Sequence, residues 1–146
     1  MTTSDLDPVR RLVAQEHGLA SISIVRADGT PRSSLVNAGV LDHPLTGEPV
    51  VGYVTYGPVK LRNLRERSAT SVLWRAGWRW AAVDGASELI GPDDPAVDAD
   101  GLRLLLRAVF TAAGGSHDDW VAYDATMRAE RRAAVLVVPQ RVYGNS

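Results

Sequence analysis

The sequence predicts an α+β protein whose sheet is a small antiparallel barrel of six strands, with helices kept to its periphery. Three observations carry this reading. Stretches rich in β-branched and aromatic residues follow one another from Leu19 to Leu89 with short turn signals between most of them. Helical periodicity is confined to the start of the chain, to one short crossover after Pro58, and to a block between Leu102 and Arg132. Strands and helices do not alternate, which argues against a parallel, doubly wound sheet.

Taken in order, Ser4 or Asp5 is placed to cap a first helix running to about Glu16. Leu6, Val9, Leu12 and Val13 form its apolar stripe, and Gly18 is its stop. Residues 19–27 read as a strand, residues 27–31 (Ala-Asp-Gly-Thr-Pro) as a tight turn, and residues 32–40 as the returning strand of a hairpin. Residues 42–49 form a polar loop, and residues 50–55 are the next strand. Residues 70–75 and 78–89 make a second hairpin, in which Gly85 marks a bulge or bend. Leu102, Leu105, Leu106, Val109 and Phe110 then recur at helical spacing, and Gly114-Gly115 ends that helix. Ser116, with Asp119 three residues on, is placed to start another helix carrying Trp120 and Met127 and the basic run from Arg128 to Arg132. A last strand, residues 133–143, is expected to be interrupted at Pro139.

The totals narrow the partners. The chain has 146 residues, no cysteine and a formal net charge of −1, enough length for one domain with a proper core. Near-neutral charge argues against nucleic acid and membrane surfaces as general partners. The absence of cysteine excludes disulfides, thiolate metal sites and a cysteine nucleophile. No apolar run approaches a membrane span and the start is acidic rather than signal-like, so a cytoplasmic protein is expected. His17, His43 and His117 lie in separate segments without ligand spacing, so no metal site is expected.

The residues with the clearest chemistry run from Tyr53 to Arg65. A strand ends at Gly57-Pro58, and Pro58 has the fixed φ and the missing N–H suited to the first position of a helix. The turn that follows carries Lys60 and Arg62. A helix start offers unpaired N–H groups and partial positive charge, so strand and basic helix together suit a small anion such as a phosphate. Lys60 is the only lysine in a chain otherwise using arginine. The competing reading of this stretch is a solvated basic helix face.

The order Arg32-Ser-Ser-Leu-Val-Asn37, Tyr53-Val-Thr55, Lys60-Leu-Arg62-Asn63-Leu64, Ser71-Val-Leu-Trp74 and Trp80-Ala-Ala-Val-Asp-Gly85 resembles the pyridoxamine 5′-phosphate oxidase-like split β-barrel superfamily. More narrowly, it is similar to the actinobacterial flavin/deazaflavin oxidoreductases that bind coenzyme F420. The resemblance spans about residues 6–144. It implies a six-stranded split barrel and a homodimer with the cofactor at the subunit interface. It also implies a cofactor phosphate held by Arg32 or its neighbours Ser34 and Asn37, by Val54, Thr55 and Tyr56, and by Lys60, Arg62 and Asn63. Trp80 would border the ring system.

Two departures separate the chain from the phosphate oxidases proper. Val59 stands where they carry an arginine, and the sequence stops soon after Tyr143 where they continue into a basic tail, so oxidation of pyridoxamine phosphate is not expected. The arginine- and alanine-rich composition fits a high-GC actinobacterium and so favours coenzyme F420 over FMN. The expected activity is hydride transfer from reduced deazaflavin to a small organic acceptor. The cofactor carries that chemistry, which explains why no catalytic triad or carboxylate pair is visible and leaves any protonating residue unassigned. The alternatives are an FMN-binding relative of the oxidases, a non-enzymatic carrier of deazaflavin, FMN or haem, and a barrel that binds only proteins.

Overall fold

In the computed structural model, which describes residues 5–145, the strands form one seven-stranded antiparallel sheet in the order β2-β1-β5-β6-β7-β4-β3. The elements are α1 (Asp7–Glu16), β1 (Leu19–Val25), β2 (Pro31–Asn37), β3 (Gly39–Asp42), β4 (Pro49–Thr55), α2 (Pro58–Glu66), β5 (Ala69–Ala76), β6 (Arg79–Ile90), α3 (Ala99–Ala112), α4 (Trp120–Ala129) and β7 (Ala133–Gly144).

The expected six strands become seven because the predicted strand 32–40 breaks at Ala38. Its first half, β2, pairs with β1, and its second half, β3, pairs with β4. The two edges of the sheet are therefore consecutive in sequence, and the sheet curls into a split barrel without hydrogen bonds closing it. The break has tertiary causes. Trp74 Nε1 donates to the Ala38 carbonyl at 3.0 Å, and Ala38 N–H donates to the Gly18 carbonyl at 2.8 Å. The end of α3 packs on the corner so closely that a Cβ on Gly39 would run into the Ala112 carbonyl.

Inside the curl sits one apolar cluster, including Ile22, Val51, Tyr53, Leu64, Val72, Trp74 and Val83, with the α1 stripe of Leu6, Val9, Leu12 and Val13 packed on it. A second cluster lies between the other face of the sheet and the two late helices. There Val50, Ala134 and Leu136 meet Leu102, Leu105, Leu106, Val109 and Tyr123. β4 alternates between the two, with Val51 and Tyr53 inward and Val50 and Val54 toward the helices. The Tyr53 hydroxyl is buried with no hydrogen-bond partner among the described residues, and burial pushes its phenol well above the ordinary value.

Three local expectations need correction. The residue capping α1 is Leu6, with no side-chain hydrogen bond, and Pro8 supplies the helix-starting geometry; Asp5 is not the cap, and Ser4 lies outside the described residues. α4 is capped by Asp119, whose carboxylate accepts from Ala122 N–H at 3.0 Å, rather than by Ser116. β7 runs through Pro139 uninterrupted: the pairing shifts at Asp84/Gly85, leaving Gln140 as the extra residue of the bulge expected at Gly85. Among the described residues no helix is long and apolar enough to cross a membrane.

Candidate functional site

The passage from β4 into α2 is built as the sequence suggested. Gly57 occupies the helix cap at φ 106°, a left-handed conformation open to glycine, and Pro58 begins the helix. Among the described residues no side chain caps this end. Leu61 N–H bonds back to the Gly57 carbonyl at 3.0 Å, so the backbone N–H groups of Val59 and Lys60 precede the first intrahelical bond. Lys60 is half-buried there, and among the described residues it has no carboxylate within 4.0 Å. Burial, and then the charge of Arg32, lower its pKa from the ordinary lysine value. An ammonium that is partly desolvated, close to a second cation and unneutralised is poised for an anion.

Lys60 opens onto a cavity of about 740 Å³. One wall is β4 and its extension, Val54, Thr55 and Tyr56. A second is the β2 end at the sheet corner, Leu35, Val36 and Asn37, with His17 from the end of α1. The third comes from the helical block: Val109 and Phe110, the Gly114–Ser116 turn, Tyr123 and Met127. Asn37 donates its amide to the His17 carbonyl at 3.0 Å, tying the first helix to the corner. The lining is mostly apolar with a few polar groups and one open cation, the make-up of a small-molecule site.

Five of the ten residues singled out from sequence therefore surround one cavity: Asn37, Val54, Thr55, Tyr56 and Lys60. Arg32 does not line it but lies close enough for its charge to act on Lys60. Ser34 does not line it. Arg62 is exposed, two helical positions from Lys60 and thus on another face of α2. Asn63 accepts a 2.6 Å bond from Arg67, whose Nε donates to the Val25 carbonyl, so its amide is engaged in fastening α2 to β1. Trp80 lies in a separate groove with Leu73, Arg75, Gly77 and Trp78, edge-on to Tyr143.

Arg132 also lines this cavity: the basic run from Arg128 to Arg132 reads from sequence as a solvated helix end or, alternatively, as a cover for the cofactor tail from a second subunit, and Arg132 reaches the cavity of its own chain. Its guanidinium carbon stacks 3.9 Å from the centroid of Tyr56, and its Nε donates to Glu130 at 2.9 Å. The antiparallel pairing of Thr55 with Ala133 sets Arg132 beside Tyr56. No local signal announces this, because it depends on β7 pairing with β4 across some 77 residues of chain.

No protein-family profile and no curated sequence matches the chain. Its fold is shared with solved structures. A conserved hypothetical protein of Mycobacterium tuberculosis superposes with a TM-score of 0.68 at 18% identity, over 99% of this chain and 84% of that one. An F420 reductase superposes with a TM-score of 0.59 at 16% identity, over 90% and 93%. A pyridoxamine 5′-phosphate oxidase-related, FMN-binding protein of Nostoc punctiforme gives 0.61 at 13% identity, over 97% and 84%. At such identities the likeness establishes the architecture alone, an α+β split barrel.

Proposed function

We propose that this chain binds a flavin-type cofactor in the Lys60 cavity, coenzyme F420 in preference to FMN, and serves as an oxidoreductase acting on a small organic acceptor. The observation that carries this reading is the half-buried Lys60, unneutralised at the helix start that opens onto a cavity of about 740 Å³. The residues present fit such a group. Lys60 and the N–H groups of Val59 and Lys60 would hold a phosphate, with Arg32 adding long-range attraction. Val54 and Thr55 offer strand backbone and a flat wall to a ring system, and Phe110 and Met127 close its far side.

The preference for the deazaflavin draws support from Arg132, a further cation on the same cavity, which would exchange its pair with Glu130 for the carboxylate-bearing tail that FMN lacks. One structural neighbour is an F420 reductase, which agrees with that choice. When bound and reduced, the cofactor supplies hydride to the acceptor. The protein contributes binding charge at Lys60, orientation by the β4 wall, and exclusion of water by the helical block. The resemblance implies a homodimer with the cofactor at the subunit interface; the exposed Trp78, in a groove with the half-buried Trp80 apart from the Lys60 cavity, is the subunit contact this reading proposes instead.

The test is a titration of the purified protein with coenzyme F420 and with FMN, repeated on Lys60→Ala. F420 is expected to bind more tightly, and the substitution to cost tenfold or more in affinity, about 1.4 kcal/mol. Equal binding by parent and variant would remove Lys60 from the site. If F420 binds but its reduced form is oxidised no faster with any enone, quinone or tetrapyrrole acceptor present, the protein is a carrier.

A further inference from the structure

A second cavity, of about 450 Å³, lies between α3, α4 and the 91–98 loop. Its floor is apolar: Leu102 and Leu106, one turn apart on α3, with Val97 from the loop and Met127 from α4. Its rim is arginine-rich, and the ion pairs there leave a definite remainder. Arg103 is held by Asp100 at 2.7 Å and by Asp124 at 3.6 Å, and Asp124 is also paired with Arg107. Arg131 is paired with Asp93 at 2.6 Å, and Arg132 with Glu130 at 2.8 Å. Asp98 is occupied in capping α3, where it accepts from Gly101 N–H at 2.7 Å. Arg128 alone among the rim arginines has no carboxylate within 4.0 Å among the described residues.

The chain around Arg128 is fixed. Arg131 N–H donates to the Arg128 carbonyl at 3.1 Å and Arg132 N–H to the Met127 carbonyl at 2.9 Å, with Arg131 held in the left-handed region at φ 52°. The site thus presents one open cation beside an apolar floor in a cavity of about 450 Å³, room for several methylene groups.

We infer that this second cavity binds a small amphipathic carboxylate, such as a medium-chain or aryl acid, with its head group at Arg128 and its apolar body on Leu102, Leu106, Val97 and Met127. The charge pattern selects the class. Among the described residues Arg128 has no carboxylate beside it, while the rim carboxylates are each ion-paired or hydrogen-bonded, so an anion is favoured over a cation, and an anion without an apolar part would leave the floor wet. A single open charge matches a monoanion better than a polyphosphate. Met127 and Arg132 also line the Lys60 cavity, so the two sites share a wall, but the inference does not depend on a flavin occupying the other one.

Calorimetric titration of the full chain with octanoate, octylammonium and acetate tests this. Octanoate is expected to bind one to one and at least tenfold tighter than either control, with affinity rising up to about fourfold per added methylene until the floor is covered. Arg128→Gln, a surface change at a helix end, should weaken octanoate about fivefold or more. Val97→Trp, which fills the cavity, should abolish binding, while Lys60→Ala should leave it within twofold. Octylammonium binding as well as octanoate, indifference to Arg128→Gln, or loss of octanoate on Lys60→Ala would each overturn the assignment. The last result would place the anion in the neighbouring cavity, and it says nothing against flavin binding there.

Discussion

The start of α2 and the β5–β6 hairpin carry the two kinds of residue that a ring-and-phosphate ligand would want, and the fold treats them in opposite ways. At α2 a charged group has been drawn partly out of water: Lys60 is half-buried, uncompensated, and faces a cavity. At the hairpin apolar groups have been left in water: Trp78 is 94% exposed, and Leu73 and Tyr143 beside it are about two-fifths exposed. Each is a mismatch between residue and environment, and the sign of the mismatch indicates what would relieve it. A desolvated cation is relieved by an anion small enough to enter. An exposed patch of indole, phenol and leucine on an open strand surface is relieved by another protein surface. Aromatic residues at the hairpin are thus better matched to a subunit contact than to a cofactor wall.

The largest expected effect concerns the charge on Lys60. A bound phosphate favours the ammonium form, so affinity for the cofactor should fall as pH rises through the Lys60 pKa of the free protein. Burial and Arg32 set that pKa below the usual lysine value, so the loss should come before pH 10.5. The same shift acts on stability with a definite sign. The folded state releases this proton more readily than the unfolded chain, so the lysine contribution to stability rises with pH across that window. Measuring cofactor affinity from pH 7 to 10.5 on the parent and on Lys60→Ala checks it. The steep decline should belong to the parent alone.

Next in size is Arg132→Ala. It removes the cation stacked on Tyr56 and should cost about fivefold in F420 affinity, roughly 1 kcal/mol, with less effect on FMN. An equal loss for both cofactors would mean that Arg132 acts by packing Tyr56 rather than on the tail. At the hairpin the expectation reverses. Trp78→Ser should leave cofactor affinity per site within twofold at concentrations where the parent self-associates, yet lower the association itself, read by sedimentation across a dilution series. A monomeric parent, or a Trp78→Ser protein that still self-associates equally, would break the contrast between the two regions.

What the sequence made legible follows the range of the forces involved. The 27–31 turn, the Gly57-Pro58 helix start and the Leu102–Phe110 face are dictated by residues within a few positions of each other, and each is present. The corner at Ala38 is not of that kind. Residues 32–40 have strand character throughout, and the break is imposed by Trp74 and by the end of α3, both distant in the chain. Capping failed for a related reason. Ser116 is followed by His117, whose ring packs on Phe110, Trp120 and Tyr123 while its Nδ1 accepts from Asp119 N–H, which moves the helix start to Asp119. At the site, the β4–α2 residues were legible because strand, breaker and base are adjacent. Arg132 was legible only as part of a basic run, because its place beside Tyr56 depends on which strand pairs with β4.

The smallest effect on binding is expected at Asn63, and it separates two roles that one helix can confuse. Asn63 is three residues from Lys60, close enough on the helix surface to share a ligand. Its carbonyl oxygen instead accepts from Arg67 Nη2 at 2.6 Å, and Arg67 Nε reaches the Val25 carbonyl at 3.3 Å. Removing that acceptor with Asn63→Ala leaves a half-buried guanidinium short of one partner and loosens the end of α2 against β1. The cost should appear in folding, about 1–2 kcal/mol in a denaturant titration. Cofactor affinity should change by less than twofold, because the start of the helix and Lys60 are held from the other side by Gly57 and by the burial of Leu64. A tenfold loss of affinity with stability unchanged would mean that the amide turns from Arg67 to the ligand on binding, and the site would then extend a full turn along α2.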